Sequence, residues 1–483
     1  MTTLRNRMEA LVGRVEANNA WRQAESFNLI PSESTPSLLV KMLEIADPAG
    51  RYAEHRAMKG AEVYFYQGTD FIRDVEIEAG RELAAFFGCE NLELRPISGQ
   101  MANEVVFKAL VRFLNKNRPA GRSSRRIRLV LNNDLNQGGH LSAQPMGALF
   151  NYVEEDPATG KERVIHFPAA KDNPYKPDRE ALAALLADHR PELIVFGKSM
   201  FICPESVRFV ADIVKDWPER PLLMFDMAHV LGLYGAFQAP LAEGADVLTG
   251  STHKTFFGPQ RGLIAGNFPK GGPLHPLWAE IKGRAFPGST SNHHLGTLLG
   301  LLAATLEMNQ FKDEYQRQIL ANARAFAGYC ATHGIPVEGG EAEGYTHTHQ
   351  VVIRVKPFGD GKEIASRLEA ANIVTNYQAL PDDETFYHPS GIRMGVQEMT
   401  RFGMKEKDFE RLAGFIADVV IRKKDVAGEV AAYRQQFSRM HYCLCAEETL
   451  RVGPALFESV FPEHAYFQGF AEALRSLHHG LEH

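Results

Sequence analysis

An α/β protein with a largely parallel sheet and helices on both faces is what this chain predicts, on three observations. Short apolar runs, Leu193-Ile-Val-Phe196, Pro221-Leu-Leu-Met-Phe225 and Gly262-Leu-Ile-Ala-Gly266, have the length and composition of buried strands. Stretches of helical periodicity alternate with such runs from about residue 90 to 270. With 483 residues, 45% of them hydrophobic, the chain can bury a large core and holds roughly three folding units of ~150 residues.

Taken in order, residues 4 to about 24 read as an amphipathic helix, and Phe27 to Ser37 is irregular because Pro31, Pro36 and a hydroxyl cluster interrupt it. Asp74 to Phe87 places apolar residues at 75, 79, 83 and 86, the spacing of a helix packed on a core. Leu92 to Asn103 reads as a strand, a Ser-Gly turn and the start of a long helix. Arg126 to Asn132, Leu193 to Phe196, Pro221 to Phe225, Asp246 to Thr249 and Gly262 to Gly266 follow as strands. A long helix from Leu295 to about Tyr329 leads to a second domain, with a strand from Gln350 to Val355, a loop rich in Asp and Pro at 380–390 and helices from 405 onward. This divides the chain into an N-terminal helix and arm (1–50), a large domain (51–294), a smaller C-terminal α+β domain (295–478) and a probable tag remnant (479–483).

Composition excludes several classes of function. A formal charge of −6 leaves no basic footprint for nucleic acid. No apolar run approaches the ~18 residues that span a bilayer, and the N-terminus lacks the apolar stretch of a signal peptide. The five cysteines are an odd number, and the pair Cys443 and Cys445 lacks zinc-site spacing, so reduced thiols and a cytoplasmic setting are expected. His347 and His349 would share a face of a strand but have no evident third ligand, so no metal is expected.

The chemistry centres on Thr249-Gly-Ser-Thr-His-Lys254, which follows a predicted strand and precedes a Gly-Pro turn. Lys254 has the setting of a Schiff-base lysine, because an amine attacks an aldehyde only when a partly desolvated pocket holds it unprotonated. Asp226, at the end of the upstream strand, can pair with a pyridine nitrogen and keep it protonated, so the pair points to pyridoxal 5'-phosphate. Ser98, Gly99 and Gln100 open a helix, where backbone N–H groups make a phosphate cradle.

Asp226-Met-Ala-His229 with Leu231-Gly-Leu, and Thr252-His-Lys-Thr with Gly258-Pro, resemble the two central motifs of serine hydroxymethyltransferase, a fold-type-I pyridoxal phosphate enzyme; the resemblance runs from about Asn28 to Phe409. It implies that His140 stacks on the cofactor ring, that Ser199 touches the ring, and that His229, Ser251 and His253 surround it. It implies that Ser32 and Arg393 hold the substrate carboxylate, and that Tyr52, Glu54 and Tyr66 reach the active site of a neighbouring subunit in a homodimer or tetramer. Glu54 would serve in proton transfer with the substrate hydroxyl or leaving aldehyde. The interval between Glu54 and Tyr66 is longer than in the family, which puts a changed loop over the substrate.

The reaction so implied is retro-aldol cleavage of a β-hydroxy-α-amino acid, L-threonine or L-serine, with transfer of the glycyl carbanion to an aldehyde. Three departures argue against tetrahydrofolate as acceptor: Gly258-Pro-Gln-Arg261 displaces the family's arginine by one place, Ser291-Asn292 replaces a Gly-Gly, and Gln378 stands where the family uses an asparagine near the folate. Gly258-Pro-Gln-Arg-Gly262, Thr348-His-Gln-Val351 and Gly391 to Phe409 are similar to the L-threonine transaldolase branch. The alternatives are a folate-dependent hydroxymethyltransferase, including the α-methylserine type, a β-lyase, decarboxylase or aminotransferase, and a non-catalytic scaffold.

Overall fold

The computed structural model describes residues 3–472 apart from 60, 117, 119–122, 386, 461–464, 466, 467 and 471. The probable tag remnant at 479–483 lies outside the described residues. Helix α1 (Leu4–Ala20) buries no residue, and Trp21–Glu25 continues it as one π turn. The helical run thus reaches Glu25, close to the expected end, but its apolar side chains Leu4, Met8, Leu11, Val12 and Val15 stand exposed on the single chain.

Helix α2 (Asp70–Phe87) buries Ile72, Val75, Ala79, Leu83 and Phe86, spaced three or four residues apart, and stops at left-handed Gly88. Strand β1 (Asn91–Glu93) is followed by α3 (Gly99–Asn115), and the Ser98 side chain caps α3 by accepting the Met101 N–H at 3.1 Å. Strands β2 (Val130–Asn132), β3 (Val164–His166), β4 (Leu193–Phe196), β5 (Leu222–Asp226), β6 (Val247–Ser251) and β7 (Gly262–Gly266) complete a seven-stranded sheet. Its order is β1-β7-β6-β5-β4-β2-β3, and β2 to β6 run parallel while β7 is antiparallel to both neighbours. This is the fold-type-I α/β architecture.

The strand side chains alternate between two cores, one on each face of the sheet. Ile194, Phe196, Leu223, Phe225 and Leu248 face one, and Leu193, Val195, Leu222, Met224 and Val247 the other. Burial on both faces explains why these strands read as continuous apolar runs. Helix α4 (Leu295–Thr332) spans 38 residues and leads to a small antiparallel sheet ordered β8-β10-β9, made of β8 (Gln350–Arg354), β9 (Asn376–Gln378) and β10 (Gly391–Gly395). Helix α5 (Glu406–Val420) packs on α4. His347 and His349 precede β8 rather than sharing a strand face.

Close approach at the β6–β7 turn fixes one glycine. A Cβ on Gly262 would lie 2.1 Å from the Ser98 carbonyl oxygen, which is backbone and cannot swing aside. Gly262→Ala is expected to lower stability by about 1–3 kcal/mol in chemical denaturation; an unchanged midpoint would show that this junction yields freely.

Candidate active site

Parallel strands end on one edge of the sheet, and there the chemistry-bearing residues gather. Asp226 closes β5 and Lys254 follows β6, whose Thr249 is in register with Asp226. Lys254 is 9% exposed, and its Nζ lies 3.1 Å from His229 Nε2. Burial, with a smaller push from Arg393 and against the pull of Asp226, lowers Lys254 to about 8. Burial and the neighbouring Lys254 and His140 charges hold His229 well below its usual range, and its Nδ1 is buried without a partner. His253 is pushed down to about 4 by burial and by Lys254.

Asp226 is 2% exposed, and burial acts to raise its pKa. That effect is outweighed by His140, which lies 2.5 Å away through Nδ1, and by donors from Asn103 Nδ2 at 2.7 Å and the Ala228 N–H at 3.1 Å, so the carboxylate stays ionised. The His140 and His229 rings meet edge to face, 5.1 Å between centroids. Asn103 also donates to Ser142 and accepts from Thr249. It was not singled out in the sequence, although it lies one helical turn after Gly99 and so on the same face of α3.

Ser98 and Gln100 are exposed at the start of α3, while Gly99 is buried against Ser251, where a Cβ would come within 2.2 Å of Ser251 Oγ. The tight seat and the free N-terminal amides suit a phosphate. The orphaned His229 Nδ1, the ionised Asp226 and the desolvated Lys254 suit the rest of pyridoxal phosphate.

Arg393 comes from the small sheet. Its Nη1 donates to the Ser199 carbonyl at 2.5 Å and its Nε lies 3.4 Å from Asn376 Oδ1, with no carboxylate partner among the described residues. It is 7% exposed, and burial lowers it to about 10, so it remains charged at neutral pH. The Ser199 side chain turns to the Gly138 and Gly139 carbonyls at 3.4 Å. Ser32 lies on an arm strapped beside Arg393: the Gly395 N–H donates to Leu29, Gln397 Nε2 to Ile30 and Glu33, and His349 Nε2 to the Pro31 carbonyl at 3.0 Å. His349 is lowered to about 3 by burial and then by Arg393 and Lys254, the Pro31 bond opposing; the sequence weighed it only as a metal ligand, and Asn103 and Asn376 were not singled out at all.

Tyr52, Glu54 and Tyr66 are not joined to this group by any hydrogen bond or ion pair among the described residues. They flank an exposed hairpin, His55–Met58 with Ala61–Tyr64, which makes up most of the longer interval. The Tyr52 and Tyr66 rings are 5.2 Å apart and both exposed. Asn292 accepts from the Ala53 N–H and donates to the Arg51 carbonyl, holding the base of the hairpin. Displaced Arg261 is fully buried and donates to the carbonyls of Leu94, His293 and His294 and to Thr297 Oγ1. Gln378 ends β9 with its amide on the Ala379 carbonyl. Among the described residues no helix is long and apolar enough to cross a membrane.

The ammonium form of Lys254 is disfavoured in the fold. In the cofactor-free protein it therefore costs stability below about pH 8, a cost that disappears as pH rises through the unfolded value of 10.5. Covalent attachment of pyridoxal phosphate, trapped by borohydride and read by mass spectrometry, is expected to accelerate as pH rises through about 8. Modification of any lysine other than Lys254 would contradict the assignment.

The serine hydroxymethyltransferase family model matches residues 7–416. Curated serine hydroxymethyltransferases from Pyrobaculum arsenaticum and Staphylothermus marinus are 36% and 38% identical, over 90% and 87% of this chain and 94% and 90% of their own. Among solved structures, the L-threonine transaldolase from Pseudomonas fluorescens superposes with a TM-score of 0.77 at 26% identity, covering 94% of this chain and 98% of that one.

Proposed function

Because the chain belongs to the serine hydroxymethyltransferase family and is a pyridoxal-phosphate-dependent transferase, we propose that it cleaves the Cα–Cβ bond of a β-hydroxy-α-amino acid and passes the glycyl unit to a second aldehyde. L-threonine is the donor that fits best, in a reaction independent of tetrahydrofolate. The observation that carries the reading is Arg393: a buried, charged guanidinium without a carboxylate partner among the described residues, close enough to Lys254 to lower its pKa. A two-pronged pair with an amino-acid carboxylate supplies the missing anion.

In this reading the chain's residues divide the work. Arg393 and Ser32 hold the substrate carboxylate and so fix which Cα bond stands ready to break. The cofactor, when bound, supplies the electron sink for that bond. Asp226, kept ionised by His140 and Asn103, holds a proton on the ring nitrogen. Ser98, Gly99, Gln100 and Ser251 hold the phosphate, Ser199 and His140 border the ring, and His253 lies next to the anchoring lysine. Lys254, desolvated and beside neutral His229, carries the cofactor and can exchange a proton with it. Glu54, with Tyr52 and Tyr66, serves the substrate hydroxyl from a second copy of the chain, which makes a homodimer the working unit.

The transaldolase reading is supported by the likeness to the Pseudomonas fluorescens enzyme and by the motifs at 258–262, 348–351 and 391–409. Arg261 adds to it, since its guanidinium is committed to backbone carbonyls. Folate-dependent serine cleavage is the second reading, favoured by the names of the curated relatives.

Two experiments test this. Acetaldehyde release from L-threonine without folate is expected to exceed formaldehyde transfer from L-serine; cleavage that needs tetrahydrofolate would establish the second reading instead. Arg393→Lys keeps the charge but loses the fork, and should raise the amino-acid KM on the order of 100-fold while the cofactor stays bound. An unchanged KM would remove Arg393 from the substrate site.

A further inference from the structure

Where the small sheet meets the main body, outside the Lys254 site, three metal-ligating side chains converge from separate segments. Cys203 follows β4, Glu343 ends the 3-10 turn Glu341–Glu343, and His347 lies in the run leading to β8. One ligand atom from each, the Cys203 Sγ, a Glu343 carboxylate oxygen and a His347 ring nitrogen, lie within 4.8 Å of one another. Cys203 is buried at 3% exposure, while Glu343 and His347 face solvent and leave a path of entry. The two sides are already pinned together: the His347 N–H donates to the Ile202 carbonyl at 2.9 Å and Thr348 Oγ1 to the Phe201 carbonyl at 2.6 Å.

We propose that Cys203, Glu343 and His347 form a binding site for a zinc ion that clasps the small sheet to the body. A thiolate, an imidazole and a carboxylate are the donor set of Zn2+, whereas Mg2+ and Ca2+ seek oxygen alone. Metal–ligand bonds of about 2.0–2.3 Å in a tetrahedron place donors roughly 3.3–3.8 Å apart. Closing from 4.8 Å takes about an ångström, which the partly exposed Glu343 and His347 side chains can supply by rotation. The fourth position is left to water.

Binding has a definite balance. The Cys203 thiol, kept protonated by burial, gives up one proton as its sulfur bonds the metal. The Lys176 ammonium, now paired with Glu343, moves off into solvent. The ion would fix the segment that follows Ser199, whose carbonyl receives Arg393, against the segment that enters β8.

A second cluster, His55, Glu76 and His293, has comparable spacing but a different character. His293 Nδ1 faces the Arg261 guanidinium at 3.2 Å, so it must accept, and its proton sits on Nε2, 2.9 Å from Glu76. Tyr64 OH donates to the same carboxylate at 2.7 Å, so Glu76 is already engaged and His293 offers no free lone pair to an ion.

Equilibrium dialysis of the chelator-treated holoenzyme against zinc tests the proposal, with bound metal measured and calorimetry in buffers of different ionisation enthalpy counting protons. One zinc per chain in the micromolar range and about one proton released are expected. Cys203→Ser and His347→Ala should each weaken binding at least tenfold. Cys443→Ser with Cys445→Ser should leave binding unchanged, and Lys176→Met should leave it equal or tighter. Wild-type affinity in Cys203→Ser or His347→Ala, loss of binding on removing the Cys443 and Cys445 pair, or no binding by the wild type would each overturn the site. Should Cys203→Ser fail to fold, His347→Ala at its half-buried position decides the question by itself.

Discussion

Among the described residues, two buried cations, Lys254 and Arg393, lie together with one ionised carboxylate, Asp226. That imbalance of charge is the constraint on which the rest of the site depends. Burying a charge is costly unless it is paired. The fold answers in three ways: the lysine pKa falls, the nearby histidines His229, His253 and His349 stay neutral, and the remaining positive charge is left for anions. A cofactor phosphate and a substrate carboxylate are the anions that would complete the balance, so substrate binding and electrostatic relief become one event.

Architecture makes the imbalance possible. The parallel strands deliver Asp226 and Lys254 to one edge, and the small sheet brings Arg393 to the same place by bonding the Ser199 carbonyl. The arm that carries Ser32 is not free to wander, because Leu29, Ile30, Pro31 and Glu33 all give carbonyls to donors around β10. His349 therefore meets the arm at its backbone. Burial keeps it neutral, and the Arg393 charge beside it acts in the same direction.

The hairpin after Glu54 is organised by different forces. Asn292 ties its base, and stacked His55 and Tyr64, 4.5 Å apart, meet the Glu76 carboxylate beneath. Arg261 holds the start of α4 to the strand end at Leu94 by donating to carbonyls on both sides. Arg261 and Asn292, two of the positions where the chain departs from its family's motifs, thus hold backbone of distant segments.

Much of this was open to a reading of the chain by itself. The strands β4, β5 and β7 were legible because burial on both faces makes a strand continuously apolar, and α2 because its apolar positions repeat every three or four residues. Lys254, Asp226 and Ser98 could be singled out because each is marked by local sequence: a strand end, a turn, a helix cap. Tertiary structure alone decided the rest. The antiparallel run of β7, the hairpin at 55–64, the solvent-facing α1 and the meeting of Arg393 with Ser199 depend on pairings between segments far apart in the chain. Asn103 stayed hidden, and His349 was weighed only as a metal ligand, for the same reason, since a polar residue inside a helix or before a strand acquires its meaning from the partner it meets across the core. Local periodicity encodes which face of an element is buried; only packing determines which buried groups touch, and the electrostatics of the site are set by that touching.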